Sequence, residues 1–166
     1  MLIKTFGEFW NTAAVDWDSG KLKGSGKIDD RSVTIDFWSA KGVYVLYHDF
    51  RAVYVGKSES AMGDRLKAHL TDRFAGRWDM FSWYSVCKAN KTSGGVNDPT
   101  VRKIDLNDAV KTFEALLIAT MTPPLNRRFE ALPEATQFEQ ESAVPHRSWR
   151  QYFEDILAKL PVVAKP

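Results

Sequence analysis

The sequence predicts a mixed α/β fold, on three observations. Residues 42–47 and 51–56 are dense in β-branched and aromatic side chains and flank a short His48-Asp49-Phe50 segment, as the arms of a hairpin would. Residues 61–72 and 107–121 place apolar side chains at helical spacing. The chain has 166 residues, 44% of them hydrophobic and 27% charged, enough to bury a core and unlike a disordered segment.

Each element follows in chain order. A short helix is expected around residues 6–14, then a link rich in Gly, Lys and Ser over 19–27. Val33, Ile35 and Phe37 alternate with polar residues as in a half-buried strand. In the hairpin, a three-residue loop would set Tyr47 opposite Arg51. That register pairs Val45 with Val53, Val43 with Val55 and Tyr44 with Tyr54, so the tyrosines share one face.

Lys57-Ser58-Glu59-Ser60 can cap a helix over 61–72 with Met62, Leu66 and Leu70 as its apolar stripe. Residues 81–87 read as a third strand and 91–100 as a loop. Asn107 or Asp108 caps a helix to Met121, stopped by Pro123-Pro124, whose buried face would be Val110, Phe113, Leu117 and Met121. An amphipathic helix over 148–160, carrying Trp149, Tyr152, Phe153, Ile156, Leu157 and Leu160, is expected at the end.

Net charge is only +2, but its distribution is uneven. Residues 51–128 hold thirteen Lys/Arg against eight Asp/Glu, while both flanks are mildly acidic. A basic middle segment suits a phosphate-facing surface. Lone Cys87 excludes an intramolecular disulfide and a cysteine-built zinc site. No apolar run is long enough for a signal peptide or a membrane span, so a soluble cytoplasmic protein of a reducing compartment is expected.

Three features stand apart from scaffold. Glu114 is flanked on one helical face by Val110, Leu117, Ile118 and Met121. A carboxylate there would point at the core and would need an ion pair, a proton or a metal. Arg65 and His69 lie one helical turn apart. A guanidinium grips phosphate through paired hydrogen bonds, and an imidazole orients water or passes a proton. The Tyr44–Tyr54 pair is the third, with ordinary cross-strand packing as its alternative.

In order, Gly42-Val43-Tyr44, Tyr54-Val55-Gly56, Lys57-Ser58, Arg65, His69, Glu114 and Asn126 resemble the GIY-YIG nuclease superfamily, with valine for isoleucine in both triplets. Pro123-Pro124-Leu125-Asn126 after the glutamate helix fits the same pattern. The resemblance covers residues 42–128. It implies a small, mostly antiparallel three-stranded sheet flanked by helices. It divides the chain into an N-terminal extension (1–40), a nuclease domain (41–130) and a tail (131–166).

It also implies roles. Glu114 would hold one Mg²⁺ or Mn²⁺ on the scissile phosphate and leaving oxygen. Arg65 would stabilise the pentacovalent transition state. Tyr44 would take the proton of the attacking water, tuned by Lys57 and His69. Tyr54 would hold the phosphate or a metal-bound water, and Asn126 would fasten the end of the glutamate helix. The expected partner is nucleic acid, DNA rather than RNA, contacted by Lys57, Arg65, Lys67, Arg73, Arg77, Arg127 and Arg128. No membrane partner is expected, and the last helix could serve a protein partner or self-association. The competing readings are a nucleic-acid-binding module that does not cut and a protein-interaction domain.

Overall fold

In a computed structural model the described residues are 2–99, 105–121, 132 and 134–142. The strands are β1 (Thr5–Asn11), β2 (Lys23–Ile28), β3 (Arg31–Asp36), β4 (Gly42–His48), β5 (Arg51–Ser58), β6 (Met80–Ser85), β7 (Lys88–Asn90), β8 (Gly95–Asn97), β9 (Thr136–Gln137) and β10 (Glu139–Gln140). The α-helices are α1 (Met62–Ala68) and α2 (Leu106–Met121).

Five strands form the main sheet in the order β5-β4-β6-β1-β9, and β10-β2-β3 and β7-β8 form two smaller sheets. The architecture is therefore mostly sheet. The expected three-stranded sheet flanked by helices is incorrect. Its three strands continue into β1 and β9, from segments expected to lie outside the nuclease domain.

The causes are local. Phe6, Phe9 and Trp10 mimic helical spacing, but residues 5–11 are a strand paired with both β6 and β9. A register shift between Gly7 and Trp10, with Phe9 at φ 51°, breaks the alternation that would have marked a strand. The link expected over 19–27 contains β2, which pairs with β3 through a tight turn at Asp29-Asp30, both at positive φ. The loop expected over 91–100 contains one arm of the β7–β8 hairpin.

The two faces of the main sheet have different covers. On one, Tyr44, Leu46, Phe81, Trp83 and Trp10 pack with Leu22, Ile35, Phe37 and Phe138 of the β10-β2-β3 layer and with Met62 and Leu66 of α1. On the other, Phe6, Tyr84 and Val43 pack against Ala115, Leu116 and Ala119 of α2.

Helix α2 is turned from its expected orientation. Thr112, Ala115 and Ile118 are buried, whereas Val110, Phe113, Leu117 and Met121 are each more than half exposed. Small residues let the helix approach the sheet, and Thr112 accepts the Leu2 backbone N–H at 3.2 Å. Glu114 is exposed with the larger residues and does not point into the core. Among the described residues no helix is long and apolar enough to cross a membrane. The expected 148–160 helix, Asn126, Arg127 and Arg128 lie outside the described residues.

Candidate active site

The hairpin β4–β5 positions the two tyrosines by a route the sequence hid. Its turn has two residues, not three: His48 pairs with Arg51, and Asp49 and Phe50 take φ of 48° and 61°. A plain two-residue turn would put the tyrosines on opposite faces. A register shift between Leu46 and Tyr47 restores parity: Tyr47 pairs with Ala52, but Leu46 pairs with Tyr54 and Tyr44 with Gly56. Val53 is the extra residue. Tyr44 and Tyr54 thus share a face diagonally, with ring centroids 6.3 Å apart.

Gly56 completes the seat. The Tyr44 ring lies across its Cα, and any side chain at 56 would overlap it. Helix α1 closes the other side. Gly63 brings it against the Trp38 indole, and His69 caps its C-terminus.

His69 lies between a phenol and a carboxylate. Its Nε2 is 2.8 Å from the Tyr44 hydroxyl and its Nδ1 is 2.7 Å from Asp72 Oδ2. The Trp78 indole N–H donates to the His69 carbonyl at 3.2 Å, and the imidazole packs among Tyr44, Tyr54 and Phe74. Tyr44 and His69 are buried, while Tyr54 is half-buried.

Burial pushes the Tyr44 phenol up, and the adjacent Arg65 guanidinium opposes it by charge and hydrogen bonding. Asp72 behaves in the opposite way. Desolvation would raise its carboxyl, but hydrogen bonds from the Phe74 backbone and His69 outweigh it and hold the group low.

Arg65, Lys67, Arg73 and Arg77 are all exposed on α1 and the turns after it. Lys67 donates to the Trp17 carbonyl at 2.6 Å, and Arg73 lies 4.8 Å from the Phe74 ring centroid. Lys57 is elsewhere. It pairs across from Val43, on the face away from Tyr44, and contacts Glu59 at 2.7 Å.

Glu114 is also elsewhere. Its neighbour Ala115 packs with Phe6 and Tyr84 on the sheet face opposite Tyr44. As placed, it does not fit a metal ion touching a phosphate held at Arg65 and Tyr54. The carboxylate at the tyrosine cluster is Asp72, which the sequence reading passed over. A His-x-x-Asp spacing was its only signal.

Comparison with protein-family models, curated proteins and solved structures finds no match for this chain.

Proposed function

We propose that this chain is a phosphodiester-cleaving nuclease of the GIY-YIG type acting on nucleic acid, DNA in preference to RNA. The observation that carries the reading is the convergence of Tyr44, Tyr54, His69 and Arg65 at one end of a hairpin, beside an exposed run of cations.

Arg65, with its planar guanidinium, is suited to grip a phosphate and to stabilise the charge that builds on it during in-line attack. Tyr54, half-buried, offers a phenol beside Tyr44 and His69. Tyr44 and His69 form the proton-accepting pair behind them. The Tyr44 hydroxyl is covered in the free protein, with Arg65 beside it. A phosphate that draws the guanidinium outwards would uncover the phenol, in line with catalytic contacts that form only on substrate binding. Because Glu114 lies away from the cluster, no step is assigned to a metal ion.

A second reading, a nucleic-acid-binding module that does not cut, draws on the position of Glu114. One assay separates the two. Supercoiled plasmid is incubated with wild-type protein in Mg²⁺, in Mn²⁺ and in EDTA, with Arg65→Ala and Tyr44→Phe alongside. The nuclease reading expects nicked and linear DNA from the wild type, and either substitution should lower the rate about 10²-fold or more. Salt-sensitive binding without a nick in any buffer would favour the module.

A further inference from the structure

We propose that Asp72 is a positioning residue that fixes the direction of the Tyr44–His69 hydrogen bond, making the imidazole the acceptor of the tyrosine proton. The argument begins with what each atom can do. An ionised carboxylate only accepts hydrogen bonds. Asp72 Oδ1 accepts the Phe74 backbone N–H at 2.8 Å, and Oδ2 faces His69 Nδ1 at 2.7 Å. The proton in that second contact must therefore sit on Nδ1.

A neutral imidazole protonated at Nδ1 has a bare Nε2, which can only accept. Tyr44 is the group 2.8 Å away, so its hydroxyl donates. The chain runs one way: Tyr44 O–H to Nε2, Nδ1–H to the carboxylate. The opposite tautomer would aim an N–H at the Tyr44 oxygen and leave Nδ1 lone pair to lone pair with Asp72. The charged and titratable groups around the pair are Arg65 from α1, Asp72 and Arg73 from the following turn, and Tyr54 from β5.

This rests on the nuclease reading for its use but not for its geometry. In that reaction the attacking water gives a proton to the Tyr44 oxygen while the Tyr44 proton moves to Nε2. The water oxygen forms its bond to phosphorus and the bond from phosphorus to the leaving oxygen breaks. The leaving oxygen then takes a proton from solvent, and the imidazolium held against Asp72 releases its own. Tyr44 ends neutral, as it began.

Asparagine at position 72 is the sharp test, because the Phe74 N–H stays bonded only if the amide oxygen remains at the Oδ1 position. The amide NH₂ then faces Nδ1 and donates, forcing the proton to Nε2. The measurement is the ¹⁵N spectrum of His69 near pH 8, assigned by its loss in His69→Gln, in wild type and Asp72→Asn. The expected result is Nδ1–H in wild type and Nε2–H in the variant, with plasmid cutting reduced on the order of 10²- to 10⁴-fold.

A wild type already protonated at Nε2 overturns the proposal, and that measurement needs no variant to fold. An unchanged tautomer in Asp72→Asn, or cutting at the wild-type rate, overturns it as well. Should wild type cut nothing, the nuclease reading falls, while inversion of the tautomer still upholds the orienting role of Asp72.

Discussion

The two faces of the main sheet each bury a tyrosine near a carboxylate, one strand apart, and the pair differs in what stands between phenol and acid. On the β4 face, His69 separates Tyr44 from Asp72 and Arg65 stands beside the phenol. On the β6 face, the Tyr84 hydroxyl donates directly to Glu8 at 3.1 Å. Burial and the adjacent Glu8 charge push Tyr84 beyond any working pH. Glu8 itself is raised, mainly by burial, with the Tyr84 hydrogen bond pulling the other way. Burial raises both phenols; a cation and a neutral acceptor give only Tyr44 a route for its proton.

The largest effect expected from this contrast is on catalysis. Tyr44→Phe should lower plasmid cutting by about 10²- to 10⁴-fold, while Tyr84→Phe, matched in ring and burial, should leave the rate within about twofold once loss of its hydrogen bond is allowed for. Equal losses in both would erase the distinction between the faces.

Next comes the bulge. Deleting Val53 would leave Tyr47 opposite Ala52 and Leu46 opposite Tyr54 as consecutive pairs. Tyr54 should then keep the Tyr44 face while the local twist of the bulge is lost, at a cost of about 1–2 kcal/mol in denaturant unfolding. A deletion that moves Tyr54 to the Tyr84 face and breaks its ring contact with His69 would contradict the register argument.

Smaller is Glu8→Gln. Because the folded carboxyl titrates above its unfolded value near ~4.3, its contribution is whole below about pH 4 and falls as pH rises through the raised value. The amide removes that loss. Thermal melts should gain a few tenths to about 1 kcal/mol at pH 7.5 after solvent screening, and nothing at pH 4. A gain at both pH values would mean that packing, not charge, is responsible.

The smallest concerns Lys57, exposed and on the wrong face. Lys57→Ala should change stability by less than about 0.5 kcal/mol and leave the Tyr44 titration in place. Arg65→Ala should move that titration further upward. A shift with Lys57→Ala would show that it reaches the phenol after all.

Some of this was legible and some was not, for physical reasons. The hairpin, α1 and the third strand follow from side-chain type. The shared face of the tyrosines also follows, but by compensating errors: the loop was one residue too long and the bulge went unseen. Asp49-Phe50 carries no glycine to advertise a turn with two positive φ angles. Helix α2 begins at Leu106, two or three residues before the start expected from a cap at Asn107 or Asp108. It is also turned the other way, because periodicity finds the largest apolar residues, whereas this helix meets the sheet through Thr112, Ala115 and Ile118. That inversion carried the reading of Glu114 with it. Asp72 was invisible because α1 ends at Ala68 and the His69–Asp72 contact belongs to the turn beyond.

The position of β1 has a consequence for synthesis. This strand is made before the other strands described, yet its neighbours are β6 and β9. Residues 5–11 must wait for residues 80–85, which at about 5–20 residues per second takes roughly 4–15 s. The β4–β5 hairpin closes locally and has no such wait. During the interval Phe6 and Trp10 have no native partners in the sheet, and the nascent chain should be cleaved by protease around residues 5–11. Chains stalled after the β6 codons have cleared the ribosome should lose that sensitivity in part, and those extended past β9 should lose the rest. Uniform resistance from the shortest lengths would show that β1 finds shelter elsewhere.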